Sequence, residues 1–250
     1  QVVQLLRHGG GELIMLVRIG NFFFHYRNFI FPFALLFVLL PGAPLFANPM
    51  DAVIIGFCVS LLGQFVRALT IGFKYIIRGG KDRRVYAEDL VTEGLYSHCR
   101  NPMYVGNVLI LCGIALACNT WTCLLLVVPF CVFIYVSIIA AEENFLRNKF
   151  GAAFDAYCRD VPRWLPRLQG LGATLASGEY HWRRVVVKEY GTPFGWVSFI
   201  CAIGAIHLYR AGQLSLATPA AKALLWTWIA MFVLWAIARV LKKTKTLRAD

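Results

Sequence analysis

Residues 121–150 have the sequence WTCLLLVVPFCVFIYVSIIAAEENFLRNKF. The first 21 of these residues carry no charge, and an α-helix needs about 20 apolar residues to cross about 30 Å of hydrocarbon. Two carboxylates, Glu142 and Glu143, follow this apolar run directly. The stretch therefore predicts a membrane-spanning helix that ends on paired acidic side chains.

The composition of the whole chain agrees with a membrane protein. Of its 250 residues, 59% are apolar and 15% are charged, whereas a soluble domain typically has about 45–50% and about 25%. A transmembrane β-barrel is excluded, because it would show roughly ten-residue segments of alternating character. We predict an all-α polytopic membrane protein with about six transmembrane helices.

Six apolar segments qualify as spans, and they suggest three regions. The spans are Phe29–Phe46, Ala52–Phe73, Pro102–Ala117, Trp121–Ala141, Phe194–Tyr209 and Ala223–Ala238. Residues 1–50 hold an interfacial segment and the first span, residues 51–170 form a core, and residues 171–250 form an extension with the last two spans. The residues ahead of the first span mix aromatic, aliphatic and basic side chains, which is typical of a helix lying in the membrane interface.

The basic residues predict the orientation. Of the 25 Lys and Arg residues, 22 lie in four segments that share one side of the membrane if there are six spans. The positive-inside rule then places both termini in the cytoplasm. The net charge of +12 therefore requires no nucleic-acid partner.

The eight cysteines include no Cys-x-x-Cys pair, and most lie within apolar runs. Neither a disulfide framework nor a zinc site fits this pattern. We interpret them as small core residues and expect no metal partner.

The third and fourth spans are joined by only a few residues, so they should form an antiparallel hairpin. Its open ends both face the cytoplasm. The segments next to these ends, residues 74–101 and 142–166, should therefore meet and assemble a site.

The first polar motif is LVTEGLYSHCRNPMYVG at residues 90–106. Asn101 is a good N-cap and Pro102 suits the first turn, so a helix should open there with free backbone N–H groups. Such an end attracts an anionic group, and the guanidinium of Arg100 could bind the same anion with two hydrogen bonds. Gly94 permits a close turn, and Gly106 permits close packing of a ligand or another helix.

The same motif has a purely structural interpretation. In that interpretation a capped helix lies at the membrane surface with Arg100 among the lipid headgroups. Tyr96 and Tyr104 then act as interface anchors.

The second motif contains Glu142 and Glu143, which lie about 100° apart on a helix, so one can face inwards while the other faces water. Negative charge at a helix C-terminus is unfavourable and needs a cation. Arg147, four residues after Glu143, is one candidate. The ammonium or sulfonium of a ligand is the other.

These motifs together resemble the isoprenylcysteine carboxyl methyltransferase and phospholipid methyltransferase families. The resemblance rests on GxYxxxRNPxYxG at 94–106, EExxLxxxFG at 142–151 followed by Tyr157, and VPxxxP at 161–166. The pattern of Gly63 and Arg67 in the second span also looks like theirs. The match covers about residues 60–168, which we therefore regard as a methyltransferase core.

The resemblance implies an integral membrane enzyme that transfers a methyl group from S-adenosylmethionine to a lipid-like substrate entering from the bilayer. It implies a cofactor site at the cytoplasmic mouth of the helices. The implied cofactor-binding residues are Gly94, Tyr96, Arg100, Asn101, Pro102, Tyr104, Gly106, Glu142 and Glu143. Two features differ from the carboxyl methyltransferases: Asn101 stands where they usually have His, and about 80 residues follow the proline motif.

The acceptor determines which further residues are needed. A carboxylate acceptor needs only an orienting cation, for which Arg159, Arg163 and Arg167 are candidates, and we favour carboxyl O-methylation with Arg163. An amine or hydroxyl acceptor would need a base. The candidate bases are His98, Tyr157, Glu142 and Asp160; His98 is expected to be a solvated loop residue, and Tyr157 is retained with Arg163 as a catalytic candidate.

Two alternatives remain open. Tyr157-Cys-x-x-Val-Pro also resembles a run in sterol reductases, which would make the chain an NADPH-dependent membrane reductase. A non-enzymatic membrane protein is the third possibility.

Arg67 lies within an apolar run, where burying its charge in the membrane is costly. We expect it to be paired with a carboxylate or to extend to the cytoplasmic surface.

Overall fold

The structure is a computed structural model that describes residue 11 and residues 14–26, 40–74 and 85–247. Within these residues the chain forms helices and no strands, apart from an isolated bridge between Pro44 and Thr120. The predicted all-α class is confirmed.

Nine α-helices can be numbered along the described residues. They are α1 (14–26), α2 (Pro49–Phe73), α3 (Pro102–Ala117), α4 (Trp121–Phe150), α5 (Ala152–Asp160), α6 (Leu171–Ser177), α7 (Trp182–Glu189), α8 (Gly191–Arg210) and α9 (Pro219–Lys243). A short 3-10 helix, Gly94–Ser97, precedes α3.

Four of the described helices are long and apolar enough to cross a membrane: α2, α4, α8 and α9. The predicted span Pro102–Ala117 is an apolar helix of only 16 residues. Most of the predicted first span, residues 29–39, lies outside the described residues. Residues 40–46 are not helical, so the predicted end of that span is wrong; Pro41 and Pro44 lie here, and proline lacks the N–H that a helix needs.

Helix α4 continues nine residues beyond the predicted end of the fourth span, to Phe150. The side chain of Thr120 caps its start, with Oγ1 accepting from the Cys123 N–H at 3.2 Å. Gly151, at φ +51°, ends it, and glycine adopts this conformation without a side-chain clash. Glu142 and Glu143 therefore lie inside the helix and not at its end.

Helices α2 and α3 approach closely along glycines. A Cβ on Gly63 would lie 2.5 Å from the Gly106 carbonyl oxygen, and one on Gly106 would lie 2.7 Å from the Gly63 carbonyl oxygen. Ser60, one turn away, donates from Oγ to the Ile110 carbonyl at 3.2 Å. Small residues allow such contact between membrane helices, so the backbone of α3 is held directly against α2.

The predicted hairpin of α3 and α4 is present. At its closed end the Asn119 side chain accepts from the Phe46 N–H at 2.8 Å and donates to the Phe46 carbonyl at 3.0 Å. His207, near the end of α8, contacts the Ala117 carbonyl at 3.0 Å. The open end of the hairpin is consequently at the other side of the bundle, where α5, α6 and α7 lie.

The apolar core lies where α3, α4 and α8 meet, around Ile114, Cys123 and Val197. Helix α9 packs on α8 through stacked aromatic rings, with Phe194 and Trp235 centroids 5.1 Å apart. The extension is therefore packed against the core and does not form a separate unit.

Candidate functional site

Two segments that are distant in sequence are joined at the open end of the hairpin. The Arg100 N–H donates to the Pro162 carbonyl at 2.9 Å, and the Arg167 N–H donates to the His98 carbonyl at 2.9 Å. These backbone bonds do not depend on particular side chains. The predicted meeting of the two polar segments is confirmed.

Glu143 lies at the centre of this junction, with 7% of its side chain exposed. Its Oε1 lies 3.2 Å from Arg100 Nη1 and 3.1 Å from Arg163 Nε, and its Oε2 contacts Arg163 Nη2. The three groups are the ionic cluster of this site. Two guanidinium groups face one carboxylate, so the cluster carries a surplus positive charge that favours an anion.

The members of the ionic cluster differ in exposure. The Arg100 side chain is 15% exposed and the Arg163 side chain is 43% exposed. Arg100 Nε is buried and has no hydrogen-bond partner among the described residues. Arg163 is therefore the member that solvent or a ligand reaches most easily.

The predicted internal partner of Glu143 is wrong. Arg147 instead pairs with Asp155 on α5, with Nε and Oδ1 2.8 Å apart, and both side chains are 45% exposed. Asp155 on the following helix lies within reach of Arg147 and takes up its charge. Arginines from two other segments provide the compensating charge.

Asn101 does not cap α3 with its side chain, contrary to prediction. Its Nδ2 donates to the Arg163 carbonyl at 3.1 Å, which holds the backbone of that arginine. The Asn101 carbonyl accepts from the N–H groups of Tyr104 and Val105 at 3.0 and 3.1 Å. Pro102 occupies the first turn as predicted.

Glu142 and Glu143 face different surroundings, as their angular separation predicts. Glu142 is half-buried, and its Oε1 accepts from the Tyr104 hydroxyl at 2.7 Å. The Tyr104 ring packs against Tyr135 with centroids 5.3 Å apart. Tyrosine and carboxylate together form a second polar pair beside the ionic cluster.

Residues 51–153 match the family model described as phospholipid methyltransferase. This segment is similar to the phospholipid methyltransferase family. It contains all but the first two residues of α2 and the whole of α3 and α4, and with them Arg100, Tyr104 and both carboxylates. The prediction of this family is confirmed over the segment. Four of the described helices are long and apolar enough to cross a membrane. Together these findings identify an integral membrane protein.

Two curated relatives match parts of the chain. The nickel-cobalt-cadmium resistance protein NccN of Alcaligenes xylosoxydans xylosoxydans is 34% identical over 80 residues, which are 32% of this chain and 37% of that protein. The cobalt-zinc-cadmium resistance protein CzcN of Cupriavidus metallidurans is 33% identical over 93 residues, which are 37% of this chain and 40% of that protein. The chain thus spans about two fifths of the length of these relatives. No solved structure matches it.

Two glycines of the phospholipid methyltransferase segment have different structural roles. Gly94 has φ +61° at the start of the 3-10 turn, a conformation that favours glycine. Gly106 faces α2: an added Cβ would lie 2.5 Å from Arg67 Cγ. The sequence allowed either a ligand or a helix to pack against Gly106. In the structure, helix α2 packs against it.

Tyr157, just beyond the phospholipid methyltransferase segment, donates from its hydroxyl to the Tyr96 carbonyl at 2.7 Å. Burial raises the pKa of this phenol above its usual value. The group therefore remains protonated at neutral pH. In this arrangement Tyr157 holds the turn that carries the buried Tyr96.

His98 is buried, although the sequence suggested a solvated loop residue. Its Nδ1 lies 2.8 Å from the Arg167 carbonyl, which can only accept, so Nδ1 carries a proton. Its Nε2 lies 2.8 Å from Thr174 Oγ1 on α6. Residues 161–167, which contain Pro162 and Pro166, form the proline loop. His98 therefore joins α6 and the proline loop to the phospholipid methyltransferase segment.

Sequence reasoning missed Cys158. Its Sγ lies 2.7 Å from Arg100 Nη1, which makes it a neighbour of the ionic cluster. The signal that could have identified Cys158 was its position directly after Tyr157, which was already a candidate site residue. All eight cysteines are free thiols, and among the described residues no group of three or more His, Cys, Asp or Glu side chains is arranged to hold a metal ion.

An apolar cavity of about 400 Å³ lies elsewhere, between α8 and α9. It is lined by residues such as Leu216, Leu224 and Trp228, and its polar lining groups include Ser198 and Ser215. No member of the ionic cluster lines it. A zwitterionic cofactor therefore has no charged partner in that cavity, and the ionic cluster is the candidate site.

Proposed function

We propose that the chain is a membrane methyltransferase that uses S-adenosylmethionine to methylate a lipid-like amphiphile, with carboxyl O-methylation favoured. The family of residues 51–153 supports methyl transfer. The observation that carries the proposal is the ionic cluster of Glu143, Arg100 and Arg163 at the open end of the hairpin.

The charges of the cluster complement those of the cofactor. S-adenosylmethionine carries a carboxylate, which suits Arg100 and the opening of α3 at Pro102. It also carries an ammonium, which suits Glu143 or Glu142, and a sulfonium, which suits an aromatic face. Tyr96 and Tyr104 are the aromatic residues that we assign to it. Gly94, Asn101 and Gly106 contribute by shaping the backbone around the site.

Arg163 is the residue that we assign to the acceptor. Bound cofactor supplies an activated methyl group, and the protein has to align the acceptor with it and exclude water. A carboxylate acceptor needs a cation that orients it, and the half-exposed Arg163 guanidinium meets that need. In the balanced reaction an acceptor oxygen bonds to the methyl carbon as the sulfur–carbon bond breaks, which leaves a methyl ester and S-adenosylhomocysteine.

Tyr157 enters the proposal as a positioning residue. Its proton is committed to the Tyr96 carbonyl and its pKa is raised, so it is poorly suited to accept a proton at neutral pH. A carboxylate acceptor requires no base, and this agrees with the preference for O-methylation.

The proposed topology follows from the basic residues. We propose a multi-pass protein with both termini in the cytoplasm and the site at the cytoplasmic surface. Residues 1–50, 51–170 and 171–250 would then be the interfacial and first-span region, the methyltransferase core and the extension. The acceptor would enter from the bilayer.

The test is methyl transfer from radiolabelled S-adenosylmethionine by purified protein. The acceptors offered are a fractionated lipid extract of the source membrane and a prenylcysteine analogue. Label that is released as volatile methanol by mild base identifies a methyl ester and supports carboxyl O-methylation, whereas base-stable label identifies a different acceptor. A protein that does not bind S-adenosylmethionine, or that binds NADPH instead, would overturn the proposal.

A further inference from the structure

Arg67 is a buried charge inside a membrane helix. It is 7% exposed and lies six residues before the end of α2, or about 9 Å along the helix axis. A charge at such a place is costly unless it is paired. The sequence predicted a partner or an extension to the surface, and the structure gives a partner.

That partner is Glu189, the last residue of α7. Its Oε1 lies 2.6 Å from both Nε and Nη2 of Arg67, and the two side chains are 8% and 2% exposed. Residues 51–153 carry the family match, so Glu189 belongs to the extension beyond it. The extension thus neutralises a charge of the core.

The guanidinium of Arg67 also reaches α3 and α8. Its Nη1 contacts Asn107 Oδ1, and its Nη2 lies 3.5 Å from Thr192 Oγ1. Gln64 joins the same group: its Nε2 lies 3.5 Å from Glu189 Oε1, and its Oε1 accepts from Trp196 Nε1 at 3.1 Å. A single polar network, buried at the Arg67–Glu189 pair and partly buried elsewhere, therefore ties together α2, α3, α7 and α8.

The network meets α3 within its first two turns. Asn107 follows Gly106, whose missing side chain leaves the space that Arg67 Cγ occupies. Tyr104 and Pro102 lie on the same two turns, and Arg100 lies two residues before Pro102. The position of Arg67 against α3 consequently affects the helix opening that faces the ionic cluster.

We propose that Glu189 is a positioning residue for the candidate site, acting through Arg67 and Asn107 on the first turns of α3. Its effect on cofactor binding rests on the function proposed above. The carboxylate holds the guanidinium in the orientation that bonds Asn107, and this fixes α3 against α2. Without it, the arginine has to turn towards another acceptor, and the first turns of α3 lose the side-chain bond between Arg67 and Asn107.

Three variants separate positioning from simple stability. Glu189→Gln keeps the shape and removes the charge, whereas Asn107→Ala keeps the ion pair and removes only its link to α3. The double variant Arg67→Gln with Glu189→Gln removes both charges, so that no uncompensated charge stays buried. Asp155→Asn, which breaks the exposed ion pair with Arg147, is the matched control.

The measurements are the melting temperature in detergent, amide hydrogen exchange over residues 103–107, and the dissociation constant of S-adenosylmethionine. We expect Asn107→Ala to keep the melting temperature within a few degrees, to speed exchange in this segment at least about fivefold, and to weaken cofactor binding by about the same factor. The double variant should recover the melting temperature lost in Glu189→Gln but not the cofactor affinity. The control should match the unmodified protein in exchange and binding.

Exchange over residues 103–107 that is unchanged in Asn107→Ala would overturn the inference. So would a double variant in which cofactor affinity recovers together with melting temperature. The exchange measurement requires no ligand. If the unmodified protein does not bind S-adenosylmethionine, the proposed function fails, and exchange alone then decides whether Glu189 positions α3.

Discussion

Arg163 and Glu143 form a bidentate ion pair that joins the proline loop to α4. Arg163 Nε lies 3.1 Å from Glu143 Oε1 while its Nη2 contacts Oε2. Both carboxylate oxygens are therefore engaged by one guanidinium, and Arg100 shares the first of them. A cofactor ammonium that binds Glu143 has to displace part of this pair.

Replacing Arg163 should tighten cofactor binding and impair methyl transfer. In Arg163→Gln the competitor for Glu143 is gone. The Arg163 side chain is 43% exposed, so solvent screens the ion pair, which is worth about 1 kcal/mol. The dissociation constant should therefore fall about fivefold. The turnover number should fall because the acceptor loses its orienting cation. Calorimetry measures the first and a methyl-transfer assay the second.

Arg159→Gln is the matched control for this variant, because Arg159 is an exposed arginine near the end of α5. It should leave cofactor affinity unchanged. Weaker cofactor binding by Arg163→Gln would show that the arginine supports the cofactor site and does not compete for it.

The two neighbouring glutamates should have unequal importance. Glu143→Gln leaves two guanidinium groups without their carboxylate and removes the charge that attracts an ammonium, so cofactor affinity should fall about 100-fold, or about 2.7 kcal/mol. Glu142→Gln retains an oxygen for Tyr104 and should cost less than about tenfold. Equilibrium binding of both variants provides the comparison, and equal losses would contradict a site centred on Glu143.

Adding one methyl group at Gly106 should destabilise the protein. The new Cβ of Gly106→Ala would lie 2.7 Å from the Gly63 carbonyl oxygen, and overpacking of this kind typically costs about 1–3 kcal/mol. Gly195→Ala on α8 is the control, since no atom lies within 4 Å of its added Cβ. Denaturant unfolding in detergent should give a lower free energy of unfolding only for the first variant; a neutral Gly106→Ala would contradict the close contact.

Removing the Tyr157 hydroxyl should have a modest effect that does not vary around neutral pH. The pKa of this phenol is raised in the folded protein, so its contribution to stability is complete below about pH 10, the ordinary tyrosine pKa, and is lost as pH rises through the raised value. Tyr157→Phe should reduce turnover by about fivefold, equivalent to one net hydrogen bond of about 1 kcal/mol. A pH–rate profile between about pH 6 and 9 that keeps its shape supports positioning, whereas the loss of a titrating limb would identify Tyr157 as a base.

The helices and their meeting point could be predicted from the sequence because both follow from local patterns. The uncharged run of 121–141 predicts α4, and the short link after Ala117 predicts the hairpin. Pro102 at a helix start is equally local. These features depend on residues near one another in the chain, and for that reason the periodicity and turn chemistry suffice.

The pairing of side chains could not be predicted in the same way. The partners of Glu143 come from residues about 40 positions earlier and 20 later, so local spacing favoured Arg147 instead. His98 is buried because α6 and the proline loop cover it, and nothing near His98 in the sequence indicates this. The partner of Arg67 was hidden for the same reason, since Glu189 lies 122 residues away.

The backbone bonds between Arg100 and Pro162 and between Arg167 and His98 also constrain biogenesis. The ribosome synthesises the chain from the N-terminus. The backbone partners of residues 98–100, Pro162 and Arg167, are therefore made only after the whole of α4 and α5. A nascent chain that stops near residue 150 contains the sequence of the α3–α4 hairpin but lacks Pro162, Arg163 and Arg167, and so cannot form these backbone bonds. Synthesis of α3 and α4 therefore precedes completion of the candidate site.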